Sequence, residues 1–267
     1  MSKGYFHEVH AQFGTELWIN NPSLPGIELA LSGGAVGVAT NPNYIATLLK
    51  SEAEFVHAII DGLLARADPS VDDQELAMQV IREAVARPLG RFHELYEQTD
   101  GRIGHVAIQG NPHRNHDLDA ILEETESFRQ LGENIILKVP ATIEGAQALE
   151  ELTARGWPTI GTMCFSVSQY IWLAEAFRRG LKRTDARPRC LITMLPGMFD
   201  EYLAEDADRR GVAVSPEVIR EAGIATARAA HKVWQQRNYE AIVLSGGARS
   251  TRHWTELVGP GIGITLS

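Results

Sequence analysis

A lysine in the middle of an apolar segment is the residue in this sequence that most clearly suggests a catalytic role. Residues 134–140 read Asn-Ile-Ile-Leu-Lys-Val-Pro, a pattern typical of a buried β-strand. No carboxylate lies beside Lys138 in this segment, so burial should lower its pKa and make a neutral amine available. A neutral amine can attack a carbonyl group and form a Schiff base. Alternatively, the side chain could extend from a strand end into solvent as an ordinary ammonium group.

Eight short apolar segments, each followed by a predicted helix, indicate how this lysine is positioned. Strands joined in this way form a parallel sheet with right-handed crossovers, and eight of them predict a single (β/α)8 (TIM) barrel over residues 1–267. The predicted strands cover residues 16–21, 35–40, 104–109, 134–140, 158–164, 189–195, 241–245 and 261–266.

The predicted helices lie between these strands. They cover residues 27–31, 44–66, 72–98, 117–131, 143–154, 166–179, a segment from Phe199, 215–237 and 251–258. We expect Pro22 and Pro25 to close the first strand region, Asp68-Pro69-Ser70 to separate two helices, and Pro196-Gly197 to form a turn. Asp72 and Asp73 are candidate N-caps. A barrel of this type should carry a helix after its eighth strand, so either a tail beyond Ser267 or another element is expected to cover that strand.

The polar residues of these strands converge on one end of the predicted barrel. The carboxyl ends of all strands in a parallel barrel lie on the same face, where TIM-barrel enzymes carry their catalytic residues. A single polar residue at a strand end means little, but a ring of them around a lysine predicts an active site. The residues that we place on this face are Asn20, Thr40, Asn41, Gln109, Lys138, Thr162, Thr193 and Arg249.

The composition restricts the class of protein. The chain has 267 residues, 44% of them hydrophobic, and a formal net charge of −9 without any cluster of Lys and Arg, which argues against a nucleic-acid partner. Cys164 and Cys190 lie in apolar segments, so we expect reduced core residues and a reducing compartment. No apolar run is long enough for a membrane span and no signal peptide is recognisable, so a cytoplasmic protein without a membrane partner is expected.

Three segments of the chain resemble the transaldolase and fructose-6-phosphate aldolase family. They read Ala-Thr-Asn-Pro-Asn at 39–43, Ile-Leu-Lys-Val-Pro-Ala-Thr-Ile-Glu-Gly at 136–145 and Gly-Thr-Met-Cys-Phe-Ser at 161–166. Lys-Val-Pro-x-Thr-x-x-Gly is the specific part, and the likeness extends from about residue 16 to the end. It implies a class I aldolase that needs no metal or cofactor, acts on a sugar or sugar phosphate, and assembles as a homo-oligomer.

The resemblance also implies a reaction and assigns residues to it. Lys138 would attack a ketose carbonyl, the bond between C3 and C4 would break, and a dihydroxyacetone enamine would remain until an aldehyde or water takes it. Asn41 would bind substrate hydroxyls, Thr162 and Gln109 would lie at the catalytic water, and Arg249 would bind phosphate. The remaining residues expected to contact the substrate are Thr40, Thr193 and Gly247.

Three positions depart from the family pattern. Asn20 replaces the aspartate at the end of the first strand, and an amide cannot transfer the proton that carbon–carbon cleavage requires. Met198 replaces one of two phosphate-binding arginines, and Leu195 replaces the tyrosine of the aldolase branch. These changes leave three hypotheses open: a transaldolase-like enzyme, a Schiff-base aldolase, isomerase or dehydratase, and a non-catalytic barrel that binds sugar phosphates.

Two further motifs have alternative interpretations. His113 and His116 lack a nearby third ligand, so we predict no metal site there. Gly246-Gly247-Ala248-Arg249 precedes a predicted helix and could bind a phosphate through its backbone N–H groups, or could simply form a strand-to-helix turn.

Overall fold

Eight parallel strands form a closed barrel in the order in which they follow along the chain. The computed structural model describes residues 4–66, 68 and 71–266. The strands are β1 (Glu16–Asn20), β2 (Ala35–Ala39), β3 (His105–Gln109), β4 (Ile135–Pro140), β5 (Thr159–Cys164), β6 (Cys190–Met194), β7 (Ile242–Ser245) and β8 (Ile262–Leu266). The predicted (β/α)8 fold is therefore confirmed, and each predicted strand agrees with an observed one to within a residue at either end.

Helices connect the strands, as expected for right-handed crossovers. They are α1 (Tyr5–Phe13), α2 (Leu24–Gly33), α3 (Tyr44–Ser51), α4 (Ala53–Leu64), α5 (Asp73–Gln98), α6 (Leu118–Arg129), α7 (Ile143–Ala154), α8 (Val167–Leu181), α9 (Pro196–Arg209), α10 (Pro216–Arg237) and α11 (Arg252–Thr255). Helix α1, which precedes the first strand, was not predicted. No helix in the described residues is both long and apolar enough to cross a membrane.

Two predictions about the regions after β1 and β2 are wrong. Pro25 does not close the strand but lies in the first turn of α2, where a proline loses no helical hydrogen bond. Ser23 caps this helix by accepting a hydrogen bond from Gly26 N–H at 3.2 Å. The single helix predicted for residues 44–66 is divided into α3 and α4 at Glu52, whose φ of −143° is not helical.

Later boundaries also differ from the prediction. Pro196 and Gly197 do not form a separate turn; they begin α9, again with proline in the first turn. Helix α8 does not stop at Gly180 but continues to Leu181. A glycine is needed at position 180 because α7 packs closely there: a Cβ would lie 2.6 Å from the carbonyl oxygen of Glu150. The last predicted helix is only the four-residue α11.

The start of α5 agrees with the prediction, since the Asp72 carboxylate accepts a hydrogen bond from Glu75 N–H at 2.8 Å. Of the break predicted at residues 68–70, Pro69 and Ser70 lie outside the described residues, as does Ser267, the last residue of the sequence.

The inside of the barrel has an apolar layer that determines where the polar layer begins. The buried side chains that pack there include Trp18, Ala107, Ile136, Ile160 and Leu191. Side chains two residues apart on a strand point the same way, so the next inward-facing residue on each strand lies one layer closer to the carboxyl end. Those next residues are Asn20, Gln109, Lys138, Thr162 and Thr193.

Candidate active site

A cavity of about 410 Å³ opens above this apolar layer. Ile160 and Leu244 of the apolar layer contribute to its lining. Predicted site residues that line it are Asn20, Asn41, Gln109, Lys138, Thr162, Thr193, Gly247 and Arg249. The structure therefore brings together all the predicted site residues except Thr40, which is not part of the cavity wall.

Lys138 projects into this cavity with an unusual electrostatic environment. Removal of the amine from water lowers its pKa from 10.5 to about 8, and no neighbouring charge contributes to the shift. Its Nζ donates a hydrogen bond to the backbone carbonyl of Thr40 at 3.2 Å. None of the residues that line the cavity, among those the structure describes, is Asp or Glu. The Lys138 amine therefore becomes neutral at a much lower pH than the amine of a lysine in solvent.

The Thr40 side chain faces away from this site. Its hydroxyl donates to the carbonyl oxygen of Ala107 at 2.5 Å and is fully buried. The predicted substrate-binding role is therefore not supported for this side chain. Thr40 contributes to the site through its backbone carbonyl, which follows β2 and accepts the hydrogen bond from the Lys138 amine.

Asn41 is held by a neighbour that the sequence reasoning missed. Asn21 donates from Nδ2 to Asn41 Oδ1 at 3.0 Å and accepts from the backbone N–H of Asn41 at 3.2 Å. Asn21 has a φ of 46°, a left-handed conformation that asparagine tolerates better than most residues. Asn41 Oδ1 also accepts from Asn43 N–H at 2.9 Å. With its oxygen occupied in this way, Asn41 can present its amide NH₂ to a substrate oxygen.

Hydroxyl and amide groups continue the polar layer around the lysine. Gln109 is the register partner of Lys138 across β3 and β4. Thr162 is buried on β5 and Thr193 on β6. The buried Thr193 hydroxyl has no hydrogen-bond partner within the described residues. A buried hydroxyl left unpaired is unfavourable by about 1–3 kcal/mol, so Thr193 Oγ1 is a group that a polar substrate atom could satisfy.

The motif around the lysine has a structural explanation. Thr142 caps α7 by accepting from Gly145 N–H at 3.0 Å, and it donates to the carbonyl of Asn115 at 2.9 Å. A Cβ on Gly145 would lie 2.0 Å from the Pro140 carbonyl oxygen, so only glycine lets α7 begin against the end of β4. The threonine and glycine of this motif therefore fix the strand that carries the lysine.

The guanidinium of Arg249 is already engaged within the protein. Its Nε donates to the Glu201 carboxylate at 2.5 Å, and Nη1 donates to the carbonyl oxygens of Gly247 and Ala248 at 3.1 and 3.3 Å. Both charged side chains are about half exposed, so solvent weakens their attraction. A phosphate group would have to compete with Glu201 for this arginine.

A buried histidine, also missed from the sequence, supports the loop that carries Arg249. His253 Nδ1 accepts hydrogen bonds from the backbone N–H groups of Arg249 and Ser250 at 3.0 and 3.3 Å. Its Nε2 donates to the buried Asp200 carboxylate at 2.9 Å, which in turn accepts from Gly223 N–H at 2.7 Å. Within Gly246-Gly247-Ala248-Arg249, the N–H groups of Gly246 and Arg249 therefore bond within the protein, to the Met194 carbonyl and to His253, and are not available to a phosphate.

Comparison with known proteins agrees with this geometry. Residues 17–267 match the model of the Transaldolase/Fructose-6-phosphate aldolase family. The chain belongs to this family. The predicted family membership is thereby confirmed, and with it the assignment of the chain to a family of enzymes.

Several curated members of the Transaldolase/Fructose-6-phosphate aldolase family resemble the chain over most of its length. The transaldolase of Saccharopolyspora erythraea is 28% identical over 265 residues, which cover 92% of this chain and 70% of the relative. That of Acidothermus cellulolyticus is 25% identical over 288 residues, covering 95% and 76%. That of Kocuria rhizophila is 27% identical over 237 residues, covering 84% and 63%.

The three residues predicted to depart from the family pattern all lie at the cavity. Asn20, Leu195 and Met198 each contribute to its lining. Leu195 and Met198 pack against the loop after β7. A Cβ added to Gly246 would lie 3.2 Å from Leu195, and one added to Gly247 would lie 3.2 Å from Met198. The three residues therefore form part of the cavity surface and do not lie in a remote part of the barrel.

Other candidate chemistry is less well supported. Within the described residues, no group of three or more His, Cys, Asp or Glu side chains is arranged to hold a metal ion. His113 lies in a short 3₁₀ helix, Pro112–Arg114. Cys164 and Cys190 are buried and not disulfide-bonded, and burial raises the pKa of both thiols to about 12. Such thiols are poor nucleophiles at neutral pH, which agrees with the prediction of core residues.

Proposed function

We propose that this protein forms a Schiff base between Lys138 and the carbonyl carbon of a ketose or ketose phosphate, and then transfers or releases a dihydroxyacetone-type ketol fragment. The observation that carries the proposal is the Lys138 amine, whose pKa burial lowers to about 8, in a cavity lined by amide and hydroxyl groups. Membership of the Transaldolase/Fructose-6-phosphate aldolase family supports the same chemistry.

The proposed reaction begins with attack of the neutral amine on the ketose carbonyl. Loss of water gives an iminium, which draws the electron pair of the C3–C4 bond toward nitrogen as the C4 hydroxyl loses its proton. An aldehyde leaves, and the enamine that remains on Lys138 adds to an acceptor aldehyde or is hydrolysed. Gln109 and Thr162 are the groups that we assign to the catalytic water, while Asn41 and Thr193 would bind hydroxyls of the donor.

Residue 20 favours a second candidate, a Schiff-base enzyme with another outcome such as an aldolase, isomerase or dehydratase. Asn20 offers hydrogen bonds but no base, and a positioned general base contributes roughly two to four decades of rate. Asn20→Asp should raise cleavage per imine formed if the proposed ketol transfer is correct. If the variant only changes imine formation, the second candidate is preferred.

The first experiment is to trap the imine. The protein is incubated with dihydroxyacetone or fructose 6-phosphate, reduced with borohydride, digested and analysed by mass spectrometry. We expect one adduct, on Lys138, which disappears in Lys138→Met and persists in the matched control Lys50→Met. An adduct on Lys50 or Lys182 alone would refute the assignment. Absence of any adduct, with sugar phosphate still bound, would favour a non-catalytic binding barrel.

The wider setting is also a proposal. Relatives named transaldolase support a role in carbohydrate metabolism, of the kind found in the pentose phosphate pathway, and a cytoplasmic location. A homo-oligomer is proposed from the family resemblance alone. Light scattering on the purified protein would test the oligomeric state.

A further inference from the structure

The mouth of the cavity has two chemically different sides. After β2, the wall carries the amides of Asn41 and Asn43. At the end of β5 and after β6, the wall carries the apolar side chains of Met163, Leu195 and Met198. Each of these apolar residues follows the inward-facing threonine of its strand along the chain, so they lie nearer to the opening than the lysine layer. A molecule that reaches Lys138 from this side must therefore pass along an apolar surface.

Met163 belongs to this surface because the backbone of β5 is irregular. The pairing of β5 with β6 shifts between Gly161 and Cys164, and Met163 has a φ of 66°. A methionine in the left-handed region is unusual, since its Cβ crowds the carbonyl that follows. Its side chain is 41% exposed although the rest of the strand is buried. The irregularity thus exposes an apolar side chain at the opening.

Leu195 and Met198 extend the apolar surface to the β7 loop. The Leu195 side chain lies against Gly246 and the Met198 side chain against Gly247. A Cβ on each glycine would come within 3.2 Å of the side chain beside it. Leu195 is buried and Met198 is partly exposed. Neither side chain can offer a hydrogen bond to a phosphate.

The charge at this end of the cavity is nearly balanced. Arg249 and Lys138 are the cations among the described lining residues, and Arg249 is paired with Glu201 at 2.5 Å. The phosphate of a phosphorylated aldehyde would have to displace the Glu201 carboxylate from Arg249. It would then gain no second cationic contact from Met198. Losing one charge-assisted bidentate contact reduces phosphate affinity by about one to two decades.

We propose, on the basis of the proposed function, that the aldehyde exchanged at this site is neutral and carries an apolar tail, which lies along Met163, Leu195 and Met198. The enamine carbon supplies the electron pair of the new carbon–carbon bond to the aldehyde carbon. The aldehyde oxygen takes up a proton, which balances the one released when the enamine formed. Water then hydrolyses the iminium, releases the ketose and restores the Lys138 amine.

The test compares acceptors on the full chain loaded with dihydroxyacetone. Hexanal, glyceraldehyde and glyceraldehyde 3-phosphate are supplied in turn, and product formation is followed by liquid chromatography and mass spectrometry. We expect kcat/KM for hexanal to exceed that for glyceraldehyde 3-phosphate by about tenfold or more, since an apolar pocket gains from each added methylene. A higher kcat/KM for glyceraldehyde 3-phosphate in the wild type would overturn the inference.

Variants at one position sharpen the comparison. Met198→Arg should raise use of glyceraldehyde 3-phosphate by about tenfold to a hundredfold and lower use of hexanal. The matched control Met198→Leu keeps an apolar side chain and should preserve the wild-type order. Inorganic phosphate should inhibit imine trapping in Met198→Arg more than in wild type, which provides a readout independent of the acceptor. Equal inhibition of both proteins would count against the inference.

The failure of this inference can be distinguished from failure of the proposed function. If borohydride traps dihydroxyacetone on Lys138 but the phosphorylated acceptor is preferred, only the inference about the acceptor is wrong. If no adduct forms on Lys138, the proposed Schiff-base function itself is wrong, and the inference fails with it.

Discussion

Changing the pH should reveal how strongly the barrel favours the neutral form of Lys138. Burial lowers the pKa of this amine from 10.5 to about 8. At pH 7, roughly a tenth of Lys138 would then be neutral, against roughly 0.03% of an unshifted lysine, a difference of ~300-fold in available nucleophile. The reactivity of Lys138 should therefore rise about tenfold per pH unit below pH 8 and level off above it.

Competitive labelling measures this titration directly. Trace acetic anhydride is added without ketose at pH values from 6 to 10, with N-acetyl-lysine in the same solution as an unshifted reference. The peptide that contains Lys138 is then quantified by mass spectrometry. The ratio of Lys138 labelling to reference labelling should be constant at low pH and fall above pH 8. A ratio that stays constant up to pH 10 would show that the amine is not shifted.

The cause of the shift can be tested at Ile160, which faces Lys138 across β4 and β5 and lines the cavity. Ile160→Thr should make the surroundings more polar and move the midpoint upward, because desolvation of the ammonium form is reduced. Ile160→Val keeps an apolar wall and should leave the midpoint unchanged. If both variants shift the midpoint equally, burial in an apolar wall is not the cause.

Three further outcomes concern stability, each measured by denaturant unfolding. The pKa of Lys138 is lower in the folded state, so folding is opposed by protonation of this amine. Lys138→Met should therefore raise the free energy of unfolding at pH 7 by up to about 3 kcal/mol. This gain should disappear as the pH rises from 8 through 10.5. Gly145→Ala should destabilise the protein by about 1–3 kcal/mol, since the added Cβ would clash with the Pro140 carbonyl. The control is Gly62→Ala, where the space around the added Cβ is open. An equal loss of stability in both variants would contradict this explanation. His253→Ala should destabilise by about 1–3 kcal/mol by removing the acceptor of the Arg249 and Ser250 N–H groups and the partner of the buried Asp200 carboxylate. An unchanged free energy of unfolding would show that the loop does not depend on His253.

Much of the barrel follows from local patterns in the sequence. The strands are short apolar runs, several of which end in a polar residue or proline, and the inward-facing residues are two positions apart. That spacing places Lys138 above Ile136 and Thr162 above Ile160 without any knowledge of the tertiary structure. The position of a polar layer at the carboxyl end could therefore be predicted from the chain alone.

The same reasoning fails where orientation depends on contacts between distant segments. Thr40 and Asn41 are adjacent, so both were placed on the cavity, but the Thr40 hydroxyl bonds to Ala107, 67 residues away. The partner of Arg249, Glu201, is 48 residues distant in sequence, and no local pattern predicts that pair. Sequence could have suggested Asn21, because an asparagine directly after a strand often adopts the left-handed conformation observed here.

The amide at residue 20 and the low pKa of Lys138 are physically related. No Asp or Glu lines the cavity among the described residues, so no carboxylate there stabilises the ammonium form of the lysine. A carboxylate at residue 20 would supply a base for carbon–carbon cleavage, but it would also raise the pKa of the amine, and each unit above neutral pH reduces the neutral fraction about tenfold. Asn20→Asp should therefore slow imine formation at pH 7 while it speeds cleavage of the imine that does form. In the proposed reaction, an amide at residue 20 and a low pKa of the Lys138 amine are therefore expected to occur together, because a carboxylate at that position would favour cleavage and oppose imine formation.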